Sequence, residues 1–258
     1  MELLVGNRSP GYMQDIIRRQ WLEVIDNINK RRIKRRLIVV LNGDMVDGNH
    51  HGSVENYSPL MVDQIAIAEE LIDELLTGIN FGKNDQLYMT KGTYAHVGIQ
   101  AQAEESIAKN FGAIPFIPEG RDEPARYLWY QVKLNINNVK YQIQHEGARI
   151  GSRPWTQDNG MNLLLKSKYW KHLLGEHELA DWYIYAHLHN YLQATYEPKP
   201  GIKLNARITP AWQMRTSYAE KFDDTDRVGA YYQTIDADGT VTEFLDRLEY
   251  TPVAYRKA

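Results

Sequence analysis

The chain is expected to fold as an α/β protein in which two mixed β-sheets pack face to face with helices on their outer sides. Three observations predict this. Helical and extended apolar patterns alternate through the first 115 residues, extended patterns dominate the rest, and four short polar motifs each follow an apolar run of strand length. With 258 residues and 43% hydrophobic content the chain can bury one large core, so a single domain spanning 1–258 is expected.

The elements follow in order. Ile16, Ile17, Trp21, Val24, Ile25 and Ile28 recur at helical spacing and run into the basic stretch Lys30 to Arg36. Leu37-Ile38-Val39-Val40-Leu41 is apolar without interruption, as a strand buried on both faces would be. Met61, Ile65, Ala68, Leu71, Ile72 and Leu75 form one stripe of a helix from about Pro59 to Leu76. Gln86 to Met89 is a short strand, Gln100 to Phe111 a third helix, and Ile114 to Ile117 a further strand. Tyr127 to Ile136 and Val139 to Gln144 flank Asn137-Asn138, whose tolerance of positive φ suits a tight hairpin turn. Leu163 to Leu174 is helical, Trp182 to Tyr185 a strand, and a closing hairpin surrounds Asp236 to Gly239.

Composition narrows the chemistry. A formal charge of −3 supplies no global basic field of the sort that announces a nucleic-acid or membrane binder. Cysteine is absent, which leaves nitrogen and oxygen as metal ligands and fits a reducing cytoplasm. The first residues lack the basic and apolar regions of a signal peptide, and no run of 18 apolar residues occurs, so a cytoplasmic protein without a membrane partner is expected.

The four motifs carry the chemistry. Asn42-Gly43-Asp44-Met45-Val46-Asp47-Gly48 places a carboxylate at the carboxyl end of a buried strand, where ligands of α/β sheets collect. Asp44 is the candidate metal ligand, and Asp47 the group that orients a neighbour. His187 and His189 stand one residue apart, so an extended segment would point both imidazoles the same way. His145 closes the strand from Val139 to Gln144, and Lys91-Gly92-Thr93-Tyr94-Ala95-His96 follows the strand ending near Met89. Each motif alone reads as readily as a turn or a surface histidine, but four in this order point to a metal centre.

That order, GDxxDG, then a histidine after a glycine turn, then a single histidine, then HxH, resembles the calcineurin-like metallophosphoesterase superfamily, particularly its compact phage or prophage-type members. The resemblance covers most of the chain and implies an αββα sandwich, two divalent transition metal ions (Mn, Fe or Zn), and hydrolysis of a phosphate mono- or diester, nucleic acid among the candidates. It implies that Asp44 bridges the metals, that His145 and His187 bind the second, that His189 binds the first, and that His96 assists the leaving group. Three features depart from the pattern. Thr93 stands where the family has an asparagine ligand, with two extra residues before His96. Ala186 replaces a glycine, a change the turn tolerates if its φ is negative. No DxH segment precedes Asp44, since Met1 to Val5 is followed by Gly6-Asn7. The first core strand of the family is thus expected to be missing, and weak or absent activity of this chain with it.

Other residues have local readings. Arg149 and Arg153 follow His145 and suit bidentate contact with a substrate phosphate, while His50 and His51 follow the first motif at the pocket mouth or on a surface loop. The basic run from Lys30 to Arg36 suits a helix end better than a nucleic-acid contact. Two alternatives to a hydrolase stand beside it. One is a binding or structural relic that keeps the pocket. The other is a mononuclear iron site on Asp44, His187 and His189, which the helix–strand alternation disfavours because that triad is common on all-β barrels.

Overall fold

The computed structural model describes residues 12–48, 58–98, 100–122, 126–148, 150–151, 153–213 and 228–248. Helix α1 (Tyr12–Arg32) leads into strand β1 (Ile38–Asn42), helix α2 (Met61–Gly78) and strand β2 (Gln86–Thr90). A single helical turn, α3 (Tyr94–Val97), and helix α4 (Gln102–Asn110) precede β3 (Leu128–Trp129), β4 (Val132–Ile136) and β5 (Val139–Ile143). Helix α5 (Asn159–Leu173), β6 (Trp182–Tyr185), β7 (Leu192–Lys199), β8 (Ile202–Ile208), β9 (Gly229–Ile235) and β10 (Val241–Arg247) complete the order.

The architecture is the expected α/β one, parallel and antiparallel strands in sheets flanked by helices. One sheet has the order β1-β2-β3 and is parallel throughout; the other has the order β4-β5-β6-β8-β7, with β5, β6 and β8 parallel. The antiparallel pair β9-β10 forms a third, small sheet. Alternation of side chains along each strand assigns the layers. Tyr88, Val132, Val139, Tyr141, Ile143, Trp182 and Ile184, with Ile38 and Val40, fill the space between the two large sheets. Leu87 and Met89 point the other way, to meet Ala68 and Ile72 of α2 and Ile107 and Ala108 of α4. On the far side, Tyr183, Tyr185, Leu204, Ala206 and Ile208 lie under Met161 and Leu165 of α5.

The segment expected as one strand from Tyr127 to Ile136 is two. Leu128 and Trp129 pair in parallel with Met89 and Thr90, whereas Val132 to Ile136 pairs antiparallel with β5 in the opposite sheet. The chain crosses between the sheets at Tyr130-Gln131. Its continuous strand-like composition hides the crossing, because each half is satisfied by a different neighbour. The strand expected over Ile114 to Ile117 reduces to an isolated bridge between Phe116 and Arg126. The hairpin β7–β8, turning at Pro200-Gly201, had no counterpart among the expected elements.

The turn at Asn137-Asn138 is as expected, with φ of 50° and 65°. Three arginines of the basic run at the end of α1 are engaged in the fold. Arg32 donates to the carbonyls of Ile79 and Asn80 and pairs with Asp85, Arg35 pairs with Asp236, and Arg31 lies over the rings of Tyr232 and Phe244. Asp85 also accepts the backbone N–H groups of Leu37 and Gly82, so one carboxylate joins the end of α1 to the starts of β1 and β2. Among the described residues no helix is long and apolar enough to cross a membrane.

Candidate metal centre

The carboxyl ends of β1 and β2 in one sheet and of β5 and β6 in the other lie at the same edge of the sandwich, and each is followed by one of the four motifs. Asp44 comes two residues after β1, Thr93 three after β2, His145 two after β5 and His187 two after β6. One oxygen of Asp44, one nitrogen of His145 and one nitrogen of His187 lie within 4.8 Å of one another. Asp44 Oδ2 is 2.8 Å from His145 Nε2 and 4.0 Å from His187 Nδ1.

Thr93 occupies the middle of this group. Its backbone N–H donates to Asp44 Oδ1 at 2.6 Å, and its hydroxyl lies 3.1 Å from Asp44 Oδ2, 3.1 Å from His145 Nε2 and 2.9 Å from His187 Nδ1. Threonine commonly caps a helix by accepting from the first turn. Here Thr93 is the residue before α3, yet its side chain makes no capping bond. The hydroxyl is turned into the site.

Three loops must touch for this to happen, and two glycines allow it. A side chain on Gly92 would land on Asp44 Oδ1 and the Asp44 backbone nitrogen, and one on Gly43 would strike the His145 ring. Glu104 then fastens two of the loops together. It is fully buried on α4, and its two oxygens accept the N–H of Met45 and the N–H of Gly92, each at 2.9 Å. Glu104 lies on the same helical stripe as Ile107 and Ala108, and a carboxylate in a buried stripe is the signal in the sequence that marks it. The expected third helix contained the residue without drawing attention to it.

The backbone is strained where the donors sit. Asp44, His187 and His189 adopt φ of 55°, 70° and 45°, in a region that costs L-residues roughly 1–2 kcal/mol each. The Leu188 N–H bonds to the Ala186 carbonyl at 2.9 Å, a γ-turn centred on His187. The two histidines therefore do not align through an extended segment, as the spacing alone suggests; a turn with positive φ aims them. Ala186 is outside the positive-φ residues, which is the condition under which alanine can replace glycine there.

Electrostatics and hydrogen bonds set the protonation states. Burial opposes the charge of Asp44, but the hydrogen bond from His145, the nearby His187 ring and the charges of His145 and His96 outweigh it and hold the carboxyl far below the usual range. Burial also resists charging of His145, and its contacts with Asp44 reverse the balance, so its pKa is raised. Its Nδ1 lies 2.5 Å from the Asn42 carbonyl and must donate there, which leaves Nε2 facing Asp44. With Nδ1 so engaged, release of the Nε2 proton that bonds Asp44 leaves the tautomer a metal-binding imidazole needs. His189 is pushed down by burial, in part offset by Asp44 and reinforced by the other imidazoles.

His96 stands at the margin, its Nε2 3.8 Å from Asp44 Oδ2. Asp47 orients it: Nδ1 is 2.9 Å from the Asp47 carbonyl and 3.3 Å from Asp47 Oδ1. The Asp47 side chain raises the His96 pKa to about 9, against burial and with help from Asp44. The loop of Asp47 is in turn pinned by Gln64 of α2, which accepts the N–H groups of Asp47 and Gly48.

Of the sequence candidates, Asp44, Thr93, His145 and His187 converge, His96 and Asp47 adjoin them, and His189 is coupled to them through charge. Arg149, His50 and His51 lie outside the described residues, as do Met1 to Val5. One carboxylate and two imidazoles within a common reach, with one tautomer already fixed, form a donor set that fits a divalent transition ion.

No protein-family model and no curated protein sequence matches the chain. Among solved structures it is similar to Vps29 of Entamoeba histolytica, which was solved in complex with zinc, at 16% identity over 81% of this chain and 98% of that one, with a TM-score of 0.37. It is also similar to a Thermotoga maritima protein solved by NMR, at 11% identity over 83% and 99% of the two chains and a TM-score of 0.35. A conserved uncharacterized protein of Streptococcus pneumoniae, a predicted phosphoesterase, aligns at 14% identity over 81% and 96%, with a TM-score of 0.32.

Proposed function

We propose that the chain is a metal-dependent phosphoesterase of the calcineurin-like metallophosphoesterase kind, acting on a phosphate mono- or diester. The observation that carries this reading is the convergence of Asp44, His145 and His187 around the Thr93 hydroxyl at one edge of the sandwich. Asp44, His145 and His187 would hold a divalent ion, with Thr93 in the place of an amide ligand, and Asp44 and His189 would face a second. A bound ion would supply a Lewis acid for a phosphoryl oxygen and lower the pKa of an attacking water.

The residues of the chain perform the remaining tasks. Asp44 stays ionised throughout the neutral range and balances the cation. His145 keeps its Nδ1 proton on Asn42 and so presents Nε2. His96, bound to Asp47 through Nδ1 and protonated at neutral pH, presents Nε2 to the leaving oxygen as a general acid. Ordering of the His96 ring by Asp47 keeps that proton aimed at the site.

One observation favours a binding protein that keeps the pocket without turnover: among the described residues a single group of three donors is close enough to share an ion. The two readings are separated by assaying an aryl phosphate diester with Mn²⁺ while counting bound metal. Metal-dependent cleavage that falls by about 100-fold in His96→Ala with unchanged metal content supports the hydrolase. One bound equivalent and no metal-dependent cleavage supports the binding protein.

A further inference from the structure

Helix α5 is apolar on two opposite sides. Its inner stripe, Met161 and Leu165, is fully buried and packs with Tyr183, Leu204 and Ala206 of the five-stranded sheet. A second stripe points the other way. At 3.6 residues per turn Leu163, Trp170 and the capping residue Leu174 fall within about 40° of one another, roughly opposite Met161 and Leu165. They are 66%, 62% and 69% exposed, and Leu173 beside them is 53% exposed. One large apolar side chain on a surface needs no explanation, but a row of them along a helix marks a contact face.

The charge around this stripe has one sign. Residues 159–175 contain three lysines and no acidic residue, and Asp158 and Glu176 stand beyond the two ends. Lys166 lies about 60° to one side of the stripe and Lys171 about 80° to the other. Lys166 reaches over the Tyr196 ring, 5.9 Å from its centre, a contact that does not neutralise its charge. Among the described residues neither lysine pairs with a carboxylate. In a chain of net charge −3 the outer side of α5 is therefore a local cationic face.

The two features together select the partner. A second copy fits poorly, because antiparallel pairing of two α5 helices with Leu163 on Leu174 would set Lys166 against Lys171 at both ends of the contact. A bilayer with anionic headgroups meets both features at once. Leucine and tryptophan enter the boundary between headgroups and acyl chains, and lysines on either side of a convex ridge reach the lipid phosphates. A helix lying on a membrane needs neither a spanning segment nor a positive net charge, and the expectation of no membrane partner rests on those two features alone.

We propose that the outer face of α5 docks the protein peripherally on an anionic lipid bilayer, with Leu163, Trp170 and Leu174 in the interface and Lys166 and Lys171 on the headgroups. This docking needs neither bound metal nor turnover.

The test is flotation of the full chain with vesicles of phosphatidylcholine alone and of phosphatidylcholine with about 30 mol% phosphatidylglycerol, beside sedimentation velocity without lipid. The wild type should bind the anionic vesicles about tenfold more tightly than the neutral ones, and less tightly as salt rises. Trp170→Ser combined with Leu174→Ser should weaken that binding by about tenfold or more. Lys166→Gln combined with Lys171→Gln should remove most of the preference for anionic vesicles. All four side chains are exposed, so thermal unfolding should stay near that of the wild type. Val62→Ser, which removes a similarly exposed apolar residue from α2, should change nothing. Equal binding to both vesicles, or binding that survives Trp170→Ser with Leu174→Ser, overturns the proposal. No binding to either vesicle also overturns it and leaves the face to a protein partner with an acid-rimmed groove. A wild-type dimer in sedimentation that the two serine substitutions dissolve overturns it as well, and assigns the face to a second copy.

Discussion

Among the places where described non-glycine residues enter the left-handed backbone region, the β4–β5 turn and the metal edge do so for different reasons. At the β4–β5 turn the residues are Asn137 and Asn138, which tolerate that conformation through local hydrogen bonding. At the metal edge they are Asp44, His187 and His189, types that also enter this region more often than most, but Asp44 and His187 turn their side chains to the donor cluster. The turn is self-sufficient, chosen by its own residues. The site is held by its surroundings: Gly43 and Gly92 let the loops meet, Glu104 ties Met45 to Gly92, and Asn42 fixes the His145 ring. Strain that the neighbouring structure must sustain is strain placed where donors have to converge.

That contrast can be broken most sharply at Gly92. Gly92→Ala should destabilise the protein by about 1–3 kcal/mol and also abolish metal binding, because the new methyl falls on Asp44. Thermal unfolding with a parallel metal titration reads both effects, and an alanine variant that binds metal normally would show that the loops need not touch. Glu104→Gln comes next. It leaves one of two buried N–H groups facing another donor, for an expected loss of about 1–3 kcal/mol. Metal affinity should fall about 10–100-fold, as when partners of ligands are removed.

At the turn the expected effects are smaller and purely structural. Asn138→Ala should cost roughly 1 kcal/mol, with Asn138→Gly close to neutral, and neither should alter metal affinity; a metal defect in either would erase the distinction between the two regions. The smallest effect concerns acid stability at the Asp85 clamp. Burial would raise the Asp85 pKa, but the N–H groups of Leu37 and Gly82 and the Arg32 charge overcome it and depress it. A depressed carboxyl contributes stability above its unfolded pKa, and that contribution is lost as pH falls through the folded value, below about pH 4. Urea melts from pH 7 to pH 3 should therefore show a steeper loss for the wild type than for Asp85→Asn.

The same contrast explains what could be read from the sequence. Asn137-Asn138, the apolar strand Ile38 to Leu41 and the all-buried strand Trp182 to Tyr185 announce themselves, because local residue choice and local structure agree. The donors Asp44, His145 and His187 were legible as types placed after strands. Their aim was not: the γ-turn at His187 runs against the preference of its own residues and is imposed by tertiary contacts. The crossing at Tyr130 was hidden for a related reason, since Leu128-Trp129 and Val132 to Ile136 have equally strand-like composition and differ only in their partners. Glu104 was visible as a charge in an apolar stripe, but the two N–H groups it serves lie 12 and 59 residues away.

If Asp44, His145 and His187 share one cation, calorimetric titration of the metal-free chain with Mn²⁺ or Zn²⁺, run beside Asp44→Asn, will register it. At least one tightly bound equivalent in the wild type, weakened by about 100-fold or more in the variant, is the predicted result. Saturable binding that Asp44→Asn leaves intact, or no binding by a folded wild-type chain, would contradict it.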